Sequence, residues 1–153
     1  MAHIHEKIDW TAGVYIVHDN KVLLRLHEKY KIWIHVGGHV ELDEDPVAAA
    51  KRECKEEVGL DVHILGEDDC ITSTDEENRE LVQPAHMNIH RINPSHEHID
   101  LIYYATSDSD VIIPENADDE WKWMDREEVE KSPLLREKIR RYALGALDAA
   151  ASH

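Results

Sequence analysis

Residues 8–18, IDWTAGVYIVH, concentrate β-branched and aromatic side chains and predict a strand. Asp19-Asn20-Lys21 supplies a turn, and residues 22–27 read as the returning strand of a hairpin. Residues 32–36 predict a further short strand that runs into Gly37 and Gly38. The period then changes. Val47, Ala50, Cys54 and Val58 recur at three- and four-residue intervals, which is one face of a helix. Asp45 is placed to cap that helix, Pro46 to occupy its first position and Gly59 to end it. Residues 60–65 and 70–74 read as strand with an acidic interruption, and 75–80 as a charged loop. Strands are predicted at 85–92 and 99–106, joined through Asn93-Pro94-Ser95, and at 121–124 after a loop at 114–119. Helices are predicted at 126–131 and 134–150. No repeat or linker divides the chain, so this order predicts a single α+β domain over 1–153, with helices flanking a mixed sheet.

Composition narrows the class. The 153 residues are 42% hydrophobic and 33% charged, suited to one packed core and not to a disordered chain. No apolar run approaches the roughly 20 residues that span a bilayer, and the N-terminus lacks the pattern of a signal peptide. Cys54 and Cys70 offer neither a disulfide framework nor a zinc motif, so a cytosolic protein is expected. The net charge of −16 disfavours nucleic-acid polymers and anionic membranes as partners. It leaves room for a small phosphorylated substrate if a bound cation inverts the local field.

The helix of residues 46–58 carries the chemistry. Glu53 shares a helical face with both Glu56 and Glu57, and like charges so spaced destabilise a helix by about 0.2–0.5 kcal/mol per pair. Either solvent or a cation must offset them, and Mg²⁺ or Mn²⁺ is the oxygen-seeking choice. The wider spacing is a longer signal. Gly38, Glu44, Arg52-Glu53, apolar Cys54, Glu56-Glu57, Gly59 and Leu60 together resemble the Nudix box, over residues 38–60. Val36-Gly37-Gly38 stands where many Nudix sequences have Pro-Gly-Gly.

That resemblance implies an α/β/α sandwich in which the box helix and a C-terminal helix flank a mixed sheet. It implies Mg²⁺-dependent hydrolysis, with Mn²⁺ as a substitute, of a nucleoside diphosphate linked to another group. Glu53, Glu56 and Glu57 would be the metal ligands, with a carbonyl of Gly37 or Gly38 assisting. Arg52 would hold a carboxylate in place, and Glu44 would be structural or a support to the metal face, not catalytic. A carboxylate must also accept the proton of the attacking water. Glu53 is favoured, and Glu115 comes second among the acids of the loop before Trp121, where Asp118 and Asp119 also lie. Dimers are common among Nudix proteins, so a homodimer is an open expectation.

Outside the box the signals thin. Arg25 is a candidate for a substrate phosphate, His39 for a phosphate contact beside the metal, and Trp33 or Tyr30 for stacking on a base. Trp33, Trp121 and Trp123 sit in predicted strands and read most simply as core or sheet-face residues. Among 12 histidines, His96 and His98 would share a strand face, and His3 and His5 repeat that spacing, but no quartet has the spacing of structural zinc. The downstream strings that mark selectivity for NADH, coenzyme A, ADP-ribose or dinucleoside polyphosphates are not found, which leans toward a nucleoside triphosphate or a related small nucleotide. Two rivals share the fold. One is a nucleotide sensor without turnover, against which the intact glutamates argue. The other is an isoprenoid diphosphate isomerase, which needs a catalytic cysteine where Cys54 faces inward and Cys70 belongs to no motif.

Overall fold

The computed structural model describes residues 7–71 and 77–153. Among these the order is β1 (Ile8–His18), β2 (Lys21–Leu26), β3 (Trp33–Ile34), β4 (Val36–His39), α1 (Pro46–Val58) and β5 (Val62–Ile64). A 3-10 turn at Glu67–Asp69 precedes β6 (His86–Asn93), β7 (His96–Ser107), β8 (Glu120–Met124), α2 (Arg126–Lys131) and α3 (Glu137–Ala151).

One mixed sheet organises the chain around the parallel pair β1 and β7, in register from Ile8 opposite Glu97 to Val17 opposite Thr106. The two sides of that pair bury different sets of residues, as strand alternation requires. Ala12, Val14, Ile16, Leu101, Tyr103 and Ala105 pack with Ala49, Ala50, Cys54 and Val58 of α1. Tyr15, Val17, Ile102 and Tyr104 pack instead with Val129 of α2 and Ala143, Ala146 and Leu147 of α3. Each large apolar side chain buried in this way stabilises the fold by roughly 1.5–3 kcal/mol. The result is the expected helix–sheet–helix arrangement.

Each central strand has two partners on its outer edge. β1 pairs with β2 at Val17 and His18, but with β4 from Thr11 to Val14. β7 pairs with β5 at Ala105–Ser107 and with β6 over its first half. One half of the sheet therefore reads β4-β1-β7-β6. There, on the face that α3 covers further along, the apolar side chains end at Tyr15 and Ile102. Thr11, Asp9, Asp100 and His98 follow at the same alternation, outside the apolar layer.

Several boundaries differ from the sequence pattern. The strand expected at 32–36 is two strands, because the chain changes partner at His35 from β2 to β1. Of the strand expected at 70–74, Cys70 and Ile71 are not extended partners of any strand, and 72–74 lie outside the described residues, as do His3 and His5. The last helix begins at Glu137, after Leu135 has been buried in the α3 layer. Among the described residues no helix is long and apolar enough to cross a membrane.

Candidate active site

The start and end of α1 are set locally. Asp45 Oδ1 accepts a hydrogen bond from the Ala48 N–H at 2.8 Å, Pro46 fills the first turn, and Gly59 closes the helix in the left-handed region with φ of 72°. With Ala50, Cys54 and Val58 turned into the sheet, Glu53 and Glu57 fall at the border of the buried stripe and Glu56 further out. The backbone of β4 meets that border. The Gly37 N–H donates to Glu57 Oε2 at 3.0 Å. A Cβ on Gly38 would lie 2.2 Å from Glu53 Oε1, so only glycine leaves room for that carboxylate.

Arg52 ties the acids together. Its Nε donates to Glu44 Oε2 at 3.0 Å and its Nη2 to Glu44 Oε1 at 2.7 Å, a two-pronged grip. Nη1 donates to Glu53 Oε1 and to Glu56 Oε2, both at 3.0 Å, and Nη2 also donates to the His39 carbonyl at 3.0 Å. The hydrogen bonds from Arg52 hold the Glu44 carboxyl below its ordinary value. Glu44 thus holds the arginine in place. Glu53 Oε2 has no hydrogen-bond partner among the described residues.

Burial has the opposite effect on the two inner acids. It raises Glu53 despite the hydrogen bond and charge of Arg52, with the charges of Glu56 and Glu115 adding to the rise. Glu57 is pushed up to about 7, chiefly by burial, with the Gly37 N–H and Arg25 pulling down and Glu53 and Glu115 pushing up. Acids so placed gain from a cation that takes up their shared charge. Glu115 reaches this group through the backbone: its N–H donates to the Glu57 carbonyl at 2.9 Å, and the Ile113 N–H donates to the Val58 carbonyl at 2.8 Å. The loop is thereby strapped along the end of α1.

Glu57, Gly37 and Gly38 form one wall of a cavity of about 630 Å³. Arg25 stands on another wall, 3.5 Å from Asp119 Oδ1 and over the Trp121 ring at 5.9 Å. The floor is polar. Thr11 Oγ1 donates to Asp100 Oδ1 at 3.0 Å, His35 Nε2 is 3.6 Å from Asp100 Oδ2, and the His35 ring stacks on Tyr15 at 4.8 Å. Burial acts to raise the Asp100 carboxyl, but the hydrogen bonds and charge from His35 and Thr11 hold it below its ordinary value. His39, His90 and His98 complete the rim.

The structure brings together Arg25, Gly38, His39, Arg52, Glu53, Glu56, Glu57 and Glu115. Trp33 is elsewhere. It is 8% exposed among Leu24, Met124 and Leu135 in the α2–α3 layer, so it is a core residue and not a base-stacking platform at this cavity. Tyr30 packs on His27 and is exposed outside the cavity lining. Sequence reasoning missed Thr11, His35, His90 and Asp100. Only Asp100 left a signal, as an acid inside an apolar strand run.

Residues 7–144 match the NUDIX domain family. A search of curated proteins gave no match. A hydrolase of the NUDIX family from Clostridium perfringens is similar in structure with a TM-score of 0.81 at 35% identity, covering 93% of this chain and 97% of that one. MutT NUDIX hydrolase from Burkholderia pseudomallei gives 0.62 at 20% identity over 94% and 98% of the two chains. A NUDIX hydrolase from Nitrosomonas europaea gives 0.61 at 15% over 94% and 90%. The last two likenesses bear on the fold alone. Since the family match runs over most of the chain and the Clostridium protein is similar end to end, this chain belongs to the NUDIX family and is a hydrolase of the pyrophosphate bond in nucleoside diphosphate derivatives.

Proposed function

We propose that this chain is a Mg²⁺-dependent pyrophosphohydrolase, with Mn²⁺ able to substitute, acting on a nucleoside triphosphate or a related small nucleotide. The observation that carries this is the pair Glu53 and Glu57, held against the Gly37–Gly38 backbone, with Arg52 tying Glu53 to Glu56. The donor set fits a hard divalent cation: it is all oxygen, Glu53 and Glu57 are raised by burial, and Glu53 Oε2 has no protein hydrogen bond among the described residues. Glu53, Glu56 and Glu57, with the Gly38 carbonyl, are the proposed ligands. Bound there, the cation would offset the charge of the diphosphate and lower the pKa of the attacking water.

The chain's own residues supply the rest. Arg52 fixes the Glu53 and Glu56 carboxylates against their mutual repulsion. Glu53 accepts the proton of the attacking water, with Glu115 the alternative acceptor, and both stand in the same cluster of acids. Arg25 takes a substrate phosphate from the facing wall. The cavity of about 630 Å³ suits a mononucleotide. The charge of −16 favours a small nucleotide over a polymer.

The test is a screen of nucleoside triphosphates, nucleotide sugars, ADP-ribose and dinucleotides with Mg²⁺, scored by product identity. Hydrolysis of a triphosphate between two phosphorus atoms, lost on chelation and restored by Mg²⁺, is expected. Glu57→Gln should lower turnover by at least a hundredfold in a folded protein. Nucleotide binding without turnover would instead make the chain a sensor, and near-normal activity of Glu57→Gln would overturn the metal assignment.

A further inference from the structure

A second group of ligand atoms lies beside the cavity that Glu57 lines, and strand register assembles it. His98 on β7 is directly opposite Asp9 on β1 and opposite His90 on β6. His96 precedes His98 by two positions and so shares its face. His39 is opposite Thr11, two positions from Asp9, and therefore joins the same face. Five side chains from four strands thus converge on one patch of sheet.

The donor atoms of this group lie close together. Asp9, His39 and His98 each offer one donor atom, and all three atoms lie within 4.8 Å of one another. Asp9 Oδ2 is 3.6 Å from His39 Nε2 and 2.8 Å from His96 Nε2. The His98 ring stands edge-on to His39 at 4.9 Å and to His96 at 5.1 Å. Tetrahedral ligands about 2.0–2.1 Å from zinc are roughly 3.4 Å apart, so these side chains need to close by only about an ångström. His39 and Asp9 are exposed enough to do so, with side chains 59% and 42% accessible.

We propose that Asp9, His39 and His98, with His96 as fourth ligand, form a second cation site, for a borderline transition-metal ion of the Zn²⁺ type. Imidazole nitrogens with one carboxylate select Zn²⁺, Co²⁺ or Ni²⁺ over Mg²⁺, which prefers oxygen and water. His39 and His98 line the cavity that Glu57 also lines, so an ion here would bear on a ligand bound in the same cavity. The two sites differ in donor chemistry and share no residue.

The experiment titrates metal-stripped full-length protein with Zn²⁺ by calorimetry in excess Mg²⁺. One tight site per chain is expected, weakened at least tenfold in His98→Ala and in His39→Gln. His39→Gln changes an exposed side chain and guards against misfolding as the cause. Two controls fix the location: His63→Ala removes another surface histidine paired with acids, Glu67 at 2.8 Å and Asp68 at 3.1 Å, and Glu57→Gln alters the glutamate site. Both should retain the zinc. The proposal is overturned by a wild type that binds no stoichiometric Zn²⁺, by full binding in His98→Ala and His39→Gln, or by loss in either control.

Discussion

A Cβ on Gly38 would meet the carboxylate of Glu53, whereas one on Gly37 would meet the Ala12 carbonyl at 2.6 Å. The first obstacle is the end of a flexible side chain and can swing away; the second is backbone of the β1–β4 pairing and cannot. Alanine at the two positions should therefore fail differently. Gly38→Ala is expected to melt within about 1 kcal/mol of wild type yet lose at least tenfold in turnover, and Gly37→Ala to lose stability first. Equal stability losses would contradict this division. Glu57 offers a second check. Its acid is raised from an ordinary 4.5 to about 7, so the folded state binds the proton more tightly than the unfolded chain. That contribution is fully present below pH 4.5 and is lost as pH rises through about 7. In metal-free protein it amounts to on the order of 1–3 kcal/mol. Glu57→Gln keeps an acceptor for the Gly37 N–H but removes the titration. Melting curves between pH 5 and 8 should fall more steeply for wild type than for the variant; parallel curves would refute the assignment.

At the scale of elements, α1 is the part most dependent on local chemistry. Its cap bond from Ala48 to Asp45, its proline start and its glycine end are all short-range. Asp45→Ala should cost about 1 kcal/mol by thermal melt, within a range of 0.5–2 kcal/mol, and reduce activity only modestly because the glutamates lie later in the helix. A large activity loss without destabilisation would show that Asp45 acts on the site. This local character also explains why α1 and its three glutamates were legible in the sequence to within a residue. β3 and β4 were not, because the switch at His35 depends on which strand lies alongside, and that is decided by residues at positions 11–14 and 25–26. Trp33 misled for the same reason. Its strand was recognisable, but its face was fixed by the register with Leu26 on β2.

For the whole molecule, legibility divides along the cavity. One wall comes from β4 and the helix and loop that follow it, and could be read from residues 38–60. The floor and far rim come from Thr11, His90, His98 and Asp100, on separate strands, and from His35 between β3 and β4, and only register unites them. The same separation shapes how the protein should respond to ions. A chain of net charge −16 repels itself, and any salt will relieve part of that by screening. A cation held by Glu53, Glu56 and Glu57 adds a different term, because it binds the folded state and not the unfolded one. At a hundredfold excess over its dissociation constant that term is about 2.7 kcal/mol, or roughly 5–10 °C in melting temperature for a chain of this size. MgCl₂ should therefore raise the melting temperature well beyond NaCl at matched ionic strength. In Glu57→Gln the excess should largely vanish while the response to NaCl persists, since one acid in 33 hardly changes the overall charge. If the two salts act alike in wild type, the acids are merely being screened and the carboxylate face holds no ion. If the excess survives in Glu57→Gln, the stabilising ion sits elsewhere, and Glu57 is not among its ligands.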